Sequence, residues 1–190
     1  IIFIILCLGI VLWLFGVHPF IVFFPIIAIL FLYYIIRFRM QAMLKRQALK
    51  AIQEEHNPVK VFVAPTMKFM EWRIAIQTDQ YDYVGRSYGR NIVFSDKTKR
   101  ESLPSSDFMK YVKDDVNIKT FLNFSSIYRW QATPQEDGST EIRLIDLRYL
   151  KNGHYSFVAI AHLTHDHTID HSYIGWVFSE EKLQKKLYAH

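Results

Sequence analysis

Four histidines, His162, His165, His167 and His171, stand within ten residues of one another, interleaved with Asp166 and Asp170. Imidazole nitrogen and carboxylate oxygen are good zinc donors. Along one strand, however, alternate residues face opposite sides, so His165 and His167 would share a face and His162 would point the other way. That spacing supplies two ligands and no evident third. The plainer reading is a polar strand end and turn on a sheet surface, and a pH-responsive surface is a further use of the same imidazoles.

Gly85-Arg86-Ser87-Tyr88-Gly89 has the spacing of a nucleophile elbow. That chemistry needs a strand before the serine and a helix after it, so that the hydroxyl stands on a sharp turn beside an oxyanion hole. The residues that follow, Asn91-Ile92-Val93-Phe94, read as another strand. A hairpin turning near Tyr88–Asn91 is therefore expected instead. Three arginines sit beside aromatic residues, in Trp72-Arg73, Arg129-Trp130 and Arg148-Tyr149. They could line an anion pocket, although simple in/out alternation along strands explains the same pairs. HExxH, a phosphate-binding glycine loop and a Rossmann fingerprint do not occur in the sequence. Asn123-Phe124-Ser125 is a sequon by pattern, without meaning for a cytoplasmic domain. No catalytic, cofactor-binding or metal-ligating residue is assigned.

The elements that would carry these residues fall into three segments. Residues 1–36 contain no Asp, Glu, Lys or Arg, residues 37–50 contain five basic residues and no acid, and the remainder holds 18 of each sign. The net charge of +5 thus sits beside the apolar segment. This excludes a wholly soluble protein and a generally basic nucleic-acid-binding domain. The single cysteine, Cys7, excludes intramolecular disulfides and cysteine zinc fingers.

A continuous 36-residue helix would span ~54 Å against a bilayer core of ~30 Å. Residues 1–36 are therefore expected to form two transmembrane helices, Ile1–Val17 and Phe20–Ile36, broken at Gly16 and Pro19, with His18 a polar turn residue. The basic cluster at residues 37–50 places that end, the start of a basic juxtamembrane helix at residues 37–58, on the cytoplasmic side. The chain opens on Ile1 inside an apolar run and is expected to be the C-terminal part of a longer protein.

Residues 59–190 are expected to form a cytoplasmic α+β domain with a curved antiparallel sheet and a few helices. Strands are expected at Val59–Val63, Glu71–Thr78, Tyr81–Ser87, Asn91–Ser95, Ile127–Thr133, Thr140–Leu150, Tyr155–His165 and Ile169–Phe178. Helices are expected at Ser105–Lys113 and Val116–Phe124, and after Ser179. Asp137-Gly138 and Asn152-Gly153 are tight-hairpin signals.

Pro65-Thr66-Met67-Lys68-Phe69, Trp72-Arg73-Ile74-Ala75, Tyr83-Val84-Gly85-Arg86-Ser87, Ile145-Asp146-Leu147-Arg148-Tyr149 and Phe178-Ser179-Glu180-Glu181-Lys182-Leu183 carry a family resemblance. Over residues 59–190 the chain resembles the C-terminal part of the YfhP-like branch of the YdjM-type inner-membrane metal-dependent hydrolases. The resemblance implies a bacterial inner-membrane protein, a divalent metal in the full-length protein, and catalysis by metal-activated water. The implied metal site lies in an N-terminal region with His-Arg-Gly-x-Thr-His-Ser and Pro-Asp-x-Asp runs, and neither run occurs here. The implied partners are membrane lipid and the remaining N-terminal transmembrane helices, and no nucleic acid is indicated. The competing expectation is a membrane-tethered, non-catalytic binding or regulatory module.

Overall fold

The structure, a computed structural model, describes residues 2–53, 57–100, 112–151, 153–166 and 168–177. The chain folds as two compact units, Ile1–Leu44 and Lys45–His190.

The first unit is helical. Helix α1, Ile2–Leu14, ends in a turn, and α2 starts at Pro19 and runs to Gln53. The Nδ1 of His18 accepts a hydrogen bond from the Phe20 N–H at 3.3 Å, so His18 caps the start of α2. The two helices touch closely at Gly9, where an added Cβ would lie 2.7 Å from Ile26 Cδ1 and 3.3 Å from Val22 Cγ1. Trp13 packs edge-on against Phe23 at 6.5 Å. Among the described residues, α2 is the one helix long and apolar enough to cross a membrane. Residues 37–53 of the expected basic juxtamembrane helix are helical and continue α2 without a break. They contain no Gly or Pro and are rich in Arg, Lys, Gln, Met, Leu and Ala, all strong helix formers.

The second unit is antiparallel α+β. Strands β1 (Pro58–Pro65), β2 (Glu71–Thr78), β3 (Tyr81–Tyr88) and β4 (Asn91–Lys99) form a four-stranded meander in chain order. The turn at Gly89-Arg90 is the hairpin expected there, so Ser87 lies near the end of a strand that leads into another strand and not into a helix. At the β3–β4 irregularity Gly85 lets the strands approach: a Cβ there would fall 2.4 Å from Val93 O.

The second sheet runs β10-β9-β6-β5, from β5 (Tyr128–Pro134), β6 (Thr140–Asp146), β9 (Phe157–Leu163) and β10 (Ile169–Trp176). Asp137 holds its hairpin turn by accepting from the Ser139 N–H at 2.9 Å. The strand expected at Thr140–Leu150 stops at Asp146, whose carboxylate accepts the Arg148 N–H at 2.9 Å and caps a 3₁₀ turn, Leu147–Tyr149. A two-strand ribbon, β7 (Leu150–Lys151) and β8 (His154–Tyr155), follows.

Apart from the β7–β8 ribbon, the described strands thus divide between two four-stranded sheets, each antiparallel throughout. Helix α3, Val116–Phe124, separates them in sequence. Asp115 is its N-cap, accepting from the Ile118 N–H at 2.9 Å, and also accepts from Ser172 Oγ at 2.8 Å. Ile118 and Phe121 are buried with Ile142, Leu144, Phe157 and Ala159 on one face of the second sheet. On its other face, Ile145, Val158 and Ile160 share a core with Ala75 and Val84 of the meander. The helices expected at Ser105–Lys113 and after Ser179 lie, apart from Val112 and Lys113, outside the described residues.

Candidate anion-binding cleft

Strand alternation places Trp72, Ile74 and Ser87 on one face of the meander and Arg73, Arg86, Val84 and Asp96 on the other. The second group looks toward Arg129 on β5, Arg148 in the 3₁₀ turn and Tyr155 on β8. Together they line a cavity of about 600 Å³ between the two sheets. That volume is in the range of small-molecule sites. Four guanidinium groups, Arg73, Arg86, Arg129 and Arg148, line it, with Asp96 the single carboxylate among the described lining residues. Leu147, Leu150 and Val93 supply apolar wall.

The four arginines are not equivalent. Arg86 Nη1 donates to Glu71 Oε1 at 2.5 Å and Nη2 donates to the Leu150 carbonyl at 3.2 Å. Lys68 Nζ lies 3.3 Å from the other oxygen of Glu71. The Arg86 hydrogen bond, more than any other influence, holds the Glu71 carboxyl below its usual range, against the opposing effect of burial.

Arg148 grips Asp146 through Nε and Nη2, at 2.9 and 2.6 Å, and donates to the Phe124 carbonyl at 3.1 Å. Its guanidinium lies 4.8 Å from the Phe124 ring centroid and 5.3 Å from that of Tyr149. Arg129 Nη1 donates to Asp96 Oδ2 at 3.3 Å and its guanidinium stacks 4.6 Å from the Tyr155 centroid. The Tyr155 hydroxyl donates to the same Asp96 oxygen. Burial, then this hydrogen bond, raises the Tyr155 phenol far above its usual range, so it stays a donor at any physiological pH.

Arg73 has no carboxylate partner among the described residues. Its guanidinium rests 5.5 Å from the Tyr149 centroid, and its buried Nε makes no hydrogen bond there. A planar fork with unused donors, in a cavity with three further guanidiniums, fits the bidentate recognition of a phosphate or carboxylate group.

The arginines of the three Arg-aromatic pairs in the sequence therefore do converge. Alternation holds as well, since Trp72 is buried on the opposite face from Arg73. Sequence reasoning missed Arg86, Asp96 and Tyr155. Arg86 lies inside the elbow-like run, where the pattern singles out Ser87 instead. Among the described residues, Ser87 Oγ is buried without a hydrogen-bond partner, and no histidine lines the cleft.

The histidine cluster is dispersed. His162 and His171 are paired across β9 and β10, and His162 also stands opposite Glu141, with Nε2 3.5 Å from Glu141 Oε2. His171 lies 3.2 Å from Asp170. His165 and Asp166 are at a turn, and His167 lies outside the described residues. Among the described residues no three His, Cys, Asp or Glu side chains come together to hold a metal.

The two sheets coincide with two family matches. Residues 55–98 match the YfhP middle domain, and residues 107–187 match the YfhP C-terminal alpha/beta plait domain. The chain carries both YfhP-family domains. A curated relative described as "Uncharacterized protein YfhP", from Bacillus subtilis (strain 168), is 46% identical over 179 residues, which are 94% of this chain and 54% of the relative. The chain thus spans about half the length of the curated relative it matches. None of these matches connects it to the YdjM-type hydrolases, and their descriptions name no activity. No solved structure matches the chain. In YfhP terms, one wall of the cleft comes from the middle domain (Arg73, Arg86, Asp96) and the other from the C-terminal domain (Arg129, Arg148, Tyr155).

Proposed function

We propose that this chain is the membrane-tethered binding module of a longer bacterial inner-membrane protein. Helix α2 anchors it, the basic run at residues 37–50 sets its cytoplasmic side, and the YfhP domains bind an anionic small molecule in the cleft between them. The observation that carries the reading is the convergence of four arginines on one cavity, with Arg73 lacking a carboxylate partner among the described residues. A hydrogen bond to a charged group is worth about 1.5–3 kcal/mol.

The test is calorimetric titration of the purified chain with inorganic pyrophosphate as the probe anion. Saturable binding is expected, weakened ~10-fold or more by Arg73→Ala. Pyrophosphate binding that ignores Arg73→Ala, or none at all, removes the proposal. The hydrolase expectation concerns the longer protein, with its metal ligands outside these residues. Ester hydrolysis by that longer protein, abolished by chelation, would make the cleft a substrate-holding site instead.

A further inference from the structure

At one end of the meander, two chain reversals lie side by side. They are the β1–β2 connection, Thr66–Met70, and the β3–β4 turn at Gly89-Arg90. The Gly89 N–H donates to the Met70 carbonyl at 2.8 Å and joins them into one tip. The tip is held in shape by its own backbone. The Thr66 hydroxyl donates to the Glu71 carbonyl at 3.0 Å and accepts from the Lys68 N–H at 3.1 Å, and the Thr66 N–H donates to the Glu71 carbonyl at 3.0 Å.

This fixed tip presents apolar side chains to solvent. Met67 is fully exposed, and Phe69, Met70 and Tyr88 are each at least half exposed. Isolated exposed apolar residues are ordinary, but four on one tip form a patch of the kind that marks an interaction site. The charges around it have one sign. Lys68 and Arg90 are exposed, while the nearby carboxylate, Glu71, is buried against Arg86 and Lys68.

Apolar and aromatic tips flanked by cations match the chemistry of an anionic bilayer surface. Methionine and aromatic side chains enter the headgroup–acyl boundary while Lys and Arg hold lipid phosphates. The same chain carries a helix long and apolar enough to cross a bilayer, so such a surface is within reach of a tethered domain. We propose that the joined tips, Thr66–Met70 and Gly89-Arg90, are a lipid-inserting contact by which the YfhP middle domain seats on anionic membrane. The tip adjoins the cleft, whose lining includes Tyr88, but the proposed lipid contact rests on the exposed Met67, Phe69 and Met70 and does not depend on ligand binding there.

The test uses the full chain in vesicles. Cys7 is the single cysteine, so Cys7→Ser with Met67→Cys gives one labelling site for an environment-sensitive nitrobenzoxadiazole probe. A second variant, Cys7→Ser with Glu136→Cys, places the probe on the exposed β5–β6 turn. In vesicles containing phosphatidylglycerol, the probe at 67 is expected to shift to the blue and to be quenched by spin-labelled lipid, while the probe at 136 is not. Lys68→Glu with Arg90→Glu, both exposed positions, is expected to abolish that quenching. Three results overturn the proposal. One is a water-like emission at 67, another is equal quenching at 67 and 136, and the third is a blue shift at 67 without lipid quenching. The third would assign the tip to a protein contact.

Discussion

Arg73 and Arg86 stand directly opposite each other on β2 and β3, two like charges on one face of a sheet. Among the described residues only Arg86 is neutralised, by Glu71. Cross-strand like charges destabilise a sheet. Arg73→Ala is therefore expected to leave the thermal midpoint unchanged or raise it, while Arg86→Ala is expected to lower stability by ~1–2 kcal/mol because buried Glu71 loses its main partner. Chemical denaturation of the two variants checks the contrast. An equal loss in both would mean that Arg73 holds the sheet together.

Two carboxylates should give opposite pH responses. The fold holds the Glu71 carboxyl below its ordinary value of 4.5, so it favours the ionised form. That stabilisation is complete above ~pH 4.5 and is lost as pH falls through the lower folded value. Burial raises the Asp82 carboxyl above its ordinary 3.8, so the fold favours the protonated form. Stability therefore declines as pH rises from 3.8 through the raised value. Glu71→Gln should flatten the acid limb of a stability–pH curve. Asp82→Asn should raise the thermal midpoint at neutral pH.

Gly85→Ala tests the close approach of β3 and β4. The added methyl would meet two backbone atoms, Val93 O at 2.4 Å and Phe94 Cα at 2.9 Å, so no side-chain rotation relieves it. A loss of ~2–4 kcal/mol is expected. A loss below ~0.5 kcal/mol would show that β4 moves aside freely.

Chelation should not affect the fold. His162 and His171 are paired across strands with Glu141 beside His162, and no third donor joins two others among the described residues. Metal bound to a native state adds to its stability. The thermal midpoint is expected to be the same with and without EDTA, and a large drop would restore the metal reading of the cluster.

Much of the fold is legible in the sequence because its signals are local. Strand ends from β1 to β10 follow runs of β-branched and aromatic residues, and Asp137-Gly138 marks a turn by its own side-chain hydrogen bond. The division into two sheets is not legible, since period-2 patterning says which way a residue faces and not which neighbour a strand chooses. The break of the expected Thr140–Leu150 strand depends on Asp146 turning to cap Arg148. The cleft is half legible. Arg73, Arg129 and Arg148 stand out as chemistry beside their aromatic neighbours. Their meeting depends on interactions such as Arg129 to Asp96 and Tyr155 to Asp96, across 33 and 59 residues of chain.

In the meander, each of β1 to β4 bonds only to its neighbours in sequence, so that sheet needs nothing after Lys99 to complete its ladder. It can form as the polypeptide emerges from the ribosome, tens of residues before the opposing wall exists. During synthesis Arg73 and Arg86 precede Arg129, Arg148 and Tyr155, so until those residues are made the cleft has one wall only. Under the proposed function, an anion present then would meet two of the four arginines, so the expected binding would require a completed chain.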